Sequence, residues 1–321
     1  MALGLDLEGA DAVSVILVTF NSSSTILRAL NSIPPTSEVI VVDNGSNDAT
    51  VAMLPSRVEK VIQLKQNMGF GGASNIGTAR ATRDFVLFLN PDSVLESGAL
   101  SELVRVARDN PNDAFNPEIL DAQGQDGNRS PSRFLNNKRP RKSARTDTLT
   151  EFLEVDVLSG AALFCRRDLF DSIGGFDPKL HLYFEDDDLS LRFMKHGCKL
   201  IRCRRSIVRH EGGASTPTSS ALEQFKNYHW EKSYRYFCHK HGYRYLFFKR
   251  LVMNAIRITG SAARYKKDKF DKHFGRLLAL AAIDQKYVAN RLQKEWLISQ
   301  PQQALFDHAP QTNDSSTPSP R

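Results

Sequence analysis

The sequence predicts an α/β protein: a mainly parallel central sheet flanked by helices, followed by a helical extension at the carboxyl end. Three observations predict it. Strand-like apolar runs and helix-spaced segments alternate four times between Val13 and Arg108, the pattern of a parallel sheet covered by helices. Each of these units carries a polar cluster where its strand meets the next helix, so four clusters fall on one sheet edge, where such sheets bind ligands. From Ala221 to Ser299 apolar residues recur at helical spacing with no strand between them.

The elements follow in order. Val13 to Phe20 is an apolar strand ending in Thr19-Phe20-Asn21. Ser22 to Ile33 has helical spacing, with Ile26, Leu27 and Leu30 on one side. Glu38 to Val42 is the second strand and opens into "DNGSND". A short helix is expected before the third strand, Val58 to Leu64. "QNMGFGGASNIG" then reads as a glycine loop, with a helix over Ala73 to Thr82. The fourth strand, Phe85 to Leu89, ends in "NPDS", and Leu95 to Arg108 is helical.

Beyond that point the alternation stops. Gln123 to Ala144 is polar, basic and rich in Pro, Asn and Arg, and reads as a mobile loop. Val155 to Cys165 reads as a strand containing Ser159-Gly160, and "GGFDPKL" as a turn. "FEDDDLSLRFMKHG" begins with four acids and continues as a helix with Leu189 and Phe193 on one face. Lys199 to Val208 is strand-like and leads to "RHEGGAST". Residues 301–321, rich in Pro, Ser, Gln and Asn, are expected to be disordered.

Composition narrows the class. Of 321 residues, 41% are hydrophobic and 25% charged, as in soluble globular proteins. No apolar run reaches the roughly 18 residues that cross a bilayer. "MALGLDLEGADA" has acids and no basic segment, so it does not read as a secretory signal. Cys165, Cys198, Cys203 and Cys238 have no metal-ligand spacing and read as free thiols of a reducing compartment. The net charge of +7 is unevenly spread: residues 221–300 hold 17 Lys and Arg against 6 acids. The basic character belongs to the extension, not to the fold.

The glycines of "QNMGFGGASNIG" invite comparison with a dinucleotide-binding turn, but the spacing fails. Gly69-x-Gly71 is followed by Ser74, and Asn67 and Asn75 bracket the stretch with no role in that fingerprint. Four other places carry chemistry. Asp43 ends a buried-type strand; it either bonds its own turn or accepts the N–H of a uracil or thymine ring. Asp92 either caps the following helix or, aimed by Pro91, binds a divalent metal facing a diphosphate. Glu185, Asp186, Asp187 and Asp188 open a helix. The macrodipole accounts for one or two acids there; four beside Tyr183-Phe184 point to a general base, because crowded carboxylates raise one another's pKa. His210 is either an ordinary packed residue or an imidazole completing a Mn²⁺-like site.

In this order, "SVILVTFN", "VIVVDNGSND", "NMGFGGASNIG", "LFLNPDS", "GGFDPKLHLYFEDDDLSLR" and "RHEGGAS" resemble the family-2 glycosyltransferases of the GT-A fold. The likeness is to the bacterial rhamnosyltransferase-like enzymes of cell-surface polysaccharide synthesis, over roughly residues 13 to 240. The resemblance implies an inverting transferase that moves a sugar, L-rhamnose from dTDP-rhamnose in the leading reading or a sugar from a UDP donor otherwise, to a glycan or lipid-linked acceptor. It implies that Thr19, Asn21 and Asp43 hold the base, and that Asn67, Gly69 and Asn75 line the nucleotide, with Asn44 and Asn90 in the same donor-binding set. Asp92 and His210 would hold Mg²⁺ or Mn²⁺, and Asp186 would be the catalytic base, with Glu185 and Asp188 as secondary candidates. One departure stands out: the family's paired aspartates read here Asn90-Pro91-Asp92, with one carboxylate missing.

The expected organisation is a tail over 1–12, a catalytic domain over 13–220, a basic helical extension over 221–300 and a tail over 301–321. The extension pairs Phe248, Leu251, Val252, Ala255 and Ile256 with Lys249, Arg250 and Arg257. It reads either as a helix packed on the domain or as one lying on an anionic membrane surface, the latter implying a peripheral protein on the cytoplasmic face. Two other classes fit less well. A sugar-phosphate nucleotidylyltransferase needs a basic glycine-rich loop after the first strand, where "TFNSSST" stands. A nucleic-acid-binding protein needs a recognisable module, and the chain carries none.

Overall fold

A computed structural model of the chain describes residues 8–58, 60–127, 151–211, 219–263, 265–281 and 292. Most of the expected Gln123–Ala144 loop, Gly212 and Gly213, and residues 301–321 lie outside them.

The strands are β1 (Val13–Thr19), β2 (Glu38–Asp43), β3 (Lys60–Gln63), β4 (Phe85–Leu89), β5 (Ser93–Leu95), β6 (Ala114–Leu120), β7 (Phe152–Glu154), β8 (Ala162–Arg166) and β9 (Leu200–His210). The helices are α1 (Ile26–Ser32), α2 (Gly69–Thr78), α3 (Ala99–Asp109), α4 (Arg167–Ser172), α5 (Glu185–Lys195), α6 (Ser220–His241), α7 (Phe247–Ala262) and α8 (Lys267–Ala281). The strands form one sheet in the order β3-β2-β1-β4-β8-β6-β9-β5, with β7 also on β9.

The first four strands are parallel, as the alternation predicts. The second half is mixed: β8 is antiparallel to β4 and β6, β6 runs parallel to β9, and β5 and β7 pair antiparallel with β9. Strands β1 and β4 are buried along their whole length, which is why they read as unbroken apolar runs. One face packs Leu17, Leu87 and Leu103 with α1 and α3; the other packs Phe88 between Phe170 and Phe176, with ring centroids 4.9 and 5.3 Å away. The GT-A architecture is present, and helices α6 to α8 follow it.

Several boundaries differ from the sequence reading. Helix α1 starts at Ile26 because Ser22 to Thr25 form a turn whose Ser22 N–H is held by Thr50 Oγ1 at 2.7 Å. The described residues between Asn44 and Val58 form turns and no helix; Asp48 accepts from the Ser23 and Thr50 backbone N–H groups and competes with helical bonding. Val155 to Ser159 is not strand, since Asn116 takes the backbone of Ser159 into a turn. Residues 93–95 pair with β9 and delay α3 to Ala99.

The glycine stretch is the largest correction. It is not a loop: Gly69, Gly71 and Gly72 form the first turn of α2. Glycine is required there because neighbours press on the backbone. A Cβ at Gly71 would sit 2.7 Å from Phe176 Cβ, and one at Gly77 would sit 2.6 Å from Ile16 Cγ2. Gly69 has φ +76° and the carbonyl oxygen of His181 2.2 Å from where a Cβ would stand. Gly69→Ala is therefore expected to lower stability in urea denaturation by about 1–3 kcal/mol. A loss below about 0.5 kcal/mol would show that this contact is not tight.

Candidate active site

The register of β1 against β2 places Thr19 beside Asp43 at the carboxyl ends of both strands. Thr19 Oγ1 donates to Asp43 Oδ1 at 3.3 Å, and the Ser46 N–H donates to Oδ2 at 3.2 Å. Asp43 thus closes its own turn with two long bonds and keeps acceptor capacity. Asn21, in the left-handed region at φ 50°, ties the first edge to the second: its N–H donates to Ser46 Oγ, and its Oδ1 accepts from Asn47 N at 2.8 Å. Asn44 reaches the third edge. Its amide donates to Asn67 Oδ1 and Gly69 O and accepts from Met68 N at 2.7 Å. Thr19, Asn21, Asp43, Asn44, Asn67 and Gly69 are therefore one bonded network along the edge. Asn75 stands apart from it: its amide donates to the carbonyl of Phe176 and accepts the Phe176 N–H, at 2.8 and 2.9 Å, so it clamps α2 to the turn at Gly174-Gly175.

The acidic helix meets this edge through Gly160 and Ala161. The Gly160 N–H donates to Asp186 Oδ2 at 3.0 Å. A Cβ at Gly160 would lie 2.6 Å from Asp186 Oδ1 and 3.1 Å from Phe70 of α2, so only glycine lets the three approach. On the other side, the Ala161 carbonyl accepts from Asn90 N at 3.0 Å and Ser93 Oγ at 3.2 Å. One two-residue turn therefore joins Asp186 to the Asn90–Ser93 segment.

Helix α5 starts on a strained turn. Tyr183 and Phe184 both have positive φ, 67° and 66°, which costs about 1–3 kcal/mol per residue. Helix α6 holds that turn. Phe184 packs against Trp230, Tyr234 and Phe237, each about 5.5 Å between centroids, and Ser233 Oγ donates to the Leu182 carbonyl. The four acids then separate. Glu185 is half-buried, whereas Asp186, Asp187 and Asp188 are buried. Asp188 accepts from Arg192 Nε and His241 Nε2, both at 2.8 Å, and pairs with Lys240 Nζ at 2.6 Å. Crowded acids were expected to have raised pKa values. At Asp188 the opposite holds: burial pushes it up, but His241, Arg192 and Lys240 outweigh burial and bring it to about 2.

Asp92 and His210 face each other because β5 pairs with β9 at Ser93 and His210. His210 Nε2 is 3.2 Å from Asp92 Oδ1 and 3.4 Å from the amide nitrogen of Asn90. Two donors each bound to one small divalent ion at about 2.1 Å stand about 3 Å apart when adjacent, so this pair fits such an ion. Among the described residues no group of three or more His, Cys, Asp or Glu could hold a metal, so the remaining ligands would be phosphate oxygens and water.

The sequence reading missed several residues that shape the site. Asn116, 3% exposed, sets the Ser159–Ala162 turn through both ends of its amide; the polar residue inside "AFNPEIL" was the available signal. Arg28 forms a bidentate pair with Glu211, 2.5 Å on each arm, next to Asp92 and His210. His181 and His229 stack 4.7 Å apart below Gly69, and burial brings His181 down to about 4, so it packs as a neutral ring.

Comparison with known proteins gives a concordant result. The family model described as glycosyl transferase family 2 matches residues 14–174. The chain is 29% identical over 239 residues to an N-acetylglucosaminyl-diphospho-decaprenol L-rhamnosyltransferase of Mycobacterium tuberculosis, covering 64% of this chain and 78% of that one. Among solved structures it resembles GalNAc-T7 crystallised with UDP, GalNAc and Mn²⁺, at TM-score 0.51 and 16% identity, covering 89% of this chain and 58% of that one. It also resembles TarS of S. aureus, at TM-score 0.50 and 17% identity, covering 82% and 54%. The chain spans little more than half the length of these two structures, and at such identities they establish the fold alone.

Proposed function

The chain belongs to glycosyl transferase family 2, and from that membership we propose an inverting transfer of L-rhamnose from dTDP-L-rhamnose to a lipid-linked saccharide in bacterial surface-polysaccharide synthesis. The enzyme class is that of the family. The sugar and acceptor are inferred from the mycobacterial relative, whose name gives an L-rhamnosyltransferase acting on a diphospho-decaprenol acceptor, and the dTDP carrier from the motif resemblance to rhamnosyltransferase-like enzymes. A lipid-linked acceptor supports the reading of a peripheral protein on the cytoplasmic face of the membrane. No helix among the described residues is long and apolar enough to cross one.

The observation that carries the reading is the Gly160–Ala161 turn, which links Asp186 on one side to the Asn90–Ser93 segment on the other. In the proposed reaction Asp186 takes the proton of an acceptor hydroxyl. The freed oxygen bonds the anomeric carbon, the bond from that carbon to the diphosphate breaks, and the nucleoside diphosphate leaves with the electron pair. The Gly160 N–H holds Asp186 Oδ2, which fixes the carboxylate's orientation. Asp43 and Thr19 receive the pyrimidine, with Asn21 and Asn44 fixing their turn. Asn67 and Gly69 line the ribose and phosphate side, and Asn90, beside His210, belongs to the same donor-binding set. Asp92 and His210 would hold Mg²⁺ or Mn²⁺, whose chemistry when bound is to neutralise charge on the departing diphosphate.

Chelation is expected to suppress transfer, and Mn²⁺ or Mg²⁺ to restore it. His210→Ala and Asp92→Ala should each raise the metal concentration needed by about 10–100-fold. Calorimetry gives a second readout, because dTDP binding to the wild type should tighten when metal is added. Transfer and dTDP binding both unchanged by chelator would contradict the metal assignment.

A further inference from the structure

Helix α7 is built inside out. Its buried residues are polar: Asn254 at 3% and Ser261 at 8% exposure. Asn254 joins a buried polar network. Asn254 Oδ1 meets His273 Nδ1 of α8 at 3.0 Å, and Arg250 pairs with Glu231 of α6, whose Oε1 also accepts from Tyr245 at 2.6 Å. The guanidinium of Arg250 lies over the Tyr234 ring at 4.6 Å. The opposite face is apolar and open: Phe248 is 78% exposed, Val252 55% and Ile256 59%. These three are four residues apart, so the 3.6-residue period aligns them in one stripe. A helix docked on a soluble domain turns its apolar stripe inward; α7 does the reverse, in a region that packs well by other means.

The surroundings say what covers the stripe. Helix α7 contains no acidic residue. Lys249 and Arg257 flank the stripe along one side, both exposed, and Lys266, Lys267 and Lys269 are exposed at the start of α8. An apolar stripe flanked by Lys249 and Arg257, with three lysines against one exposed acid, Asp268, at the start of α8, matches a bilayer interface, where acyl chains take the side chains and anionic headgroups take the charges. A second copy of the chain would bring the same cations against themselves, and three side chains fall well short of the roughly 800 Å² per partner of a standard protein interface.

We propose that the Phe248–Val252–Ile256 face of α7 is a membrane-docking surface that seats the protein on anionic lipid. The inference extends the lipid-linked acceptor reading by naming the surface that brings the enzyme to such an acceptor. It rests on that reading only for its purpose, because the test contains neither donor nor acceptor. Helix α7 packs on α8 and reaches α6 through the Arg250–Glu231 pair, and α6 in turn holds the Leu182–Phe184 turn before Asp186.

The test is flotation of the full-length chain with vesicles of phosphatidylcholine alone and of phosphatidylcholine with phosphatidylglycerol, at low and high salt. The wild type should float with the anionic vesicles, and about tenfold less at high salt. Val252→Asp combined with Ile256→Asp should reduce partitioning on the order of a hundredfold while leaving the thermal unfolding temperature unchanged, since both positions are exposed. Lys249→Gln combined with Arg257→Gln should weaken binding and flatten its salt dependence. Flotation of the aspartate variant equal to wild type would overturn the proposal, as would absence of wild-type flotation with anionic vesicles. So would a wild-type dimer in light scattering that the aspartate substitutions dissociate. None of these results bears on whether the enzyme transfers a sugar.

Discussion

Asp186→Asn is expected to abolish sugar transfer while leaving the donor bound. The amide keeps the shape of the carboxylate and can still accept the Gly160 N–H through its oxygen, but it cannot take a proton at neutral pH. Loss of a general base lowers rates by about 10²–10⁴-fold, so kcat should fall by that factor and donor affinity stay within a few-fold. The position is also sterically tight, since Gly160 presents only hydrogen where a methyl would sit 2.6 Å from Oδ1. Gly160→Ala should therefore reproduce part of the loss by pushing the carboxylate aside. Transfer by Asp186→Asn at more than about a tenth of the wild-type rate would move the role to Glu185, the half-buried acid beside it.

Asp188→Asn is expected to show the opposite profile, a loss of stability that appears before any specific loss of chemistry. Asp188 is fully buried and meets three cationic or cation-capable groups, Arg192, Lys240 and His241. Removing one member of a buried ion pair costs about 3–5 kcal/mol, because the partner charges stay behind. The pH dependence has a definite sign. Its folded pKa, about 2, lies below the ordinary 3.8. The carboxylate's contribution is therefore complete above 3.8 and is lost as pH falls towards 2. Urea denaturation of wild type and variant should differ most near neutrality, and the difference should shrink by about 2 kcal/mol across that acid window. A constant difference over the same range would mean that Asp188 is not held by charge. Two acids of "EDDD" thus differ in what they touch: Asp186 accepts the Gly160 N–H, and Asp188 anchors α5 to α6.

The first half of the fold was legible because β1, β2 and β4 are buried on both faces. "VSVILVT" and "FVLFL" have no polar alternation to confuse the period, and their limits came out within a residue or two. The position of the edge clusters was legible for the same reason: a polar cluster straight after a buried run has to lie at the strand's end. Three features were not legible. The helix over Gly69–Thr78 was hidden because its glycines lower helix propensity while serving contacts with Phe176, Ile16 and His181 that lie elsewhere in the chain. The turn at Ser159–Gly160 was hidden because Asn116, more than forty residues away, supplies its hydrogen bonds. The separate fate of four adjacent acids depends on which of them α6 reaches with Lys240 and His241, a tertiary fact that composition does not contain. The apolar and basic spacing of α7 was readable, but not which face would point out.

The most direct test of the account is product analysis after incubation of the wild type with dTDP-L-rhamnose and with UDP- and GDP-sugars, each with Mn²⁺ and a prenyl-diphosphate-linked saccharide. The account predicts acceptor-dependent release of nucleoside diphosphate, greatest with dTDP-L-rhamnose, with inversion at the anomeric carbon and loss of turnover in Asp186→Asn. Release from a UDP-sugar instead would keep the transferase and replace the donor. Release of pyrophosphate or nucleoside monophosphate, or no turnover of any sugar nucleotide, would contradict it.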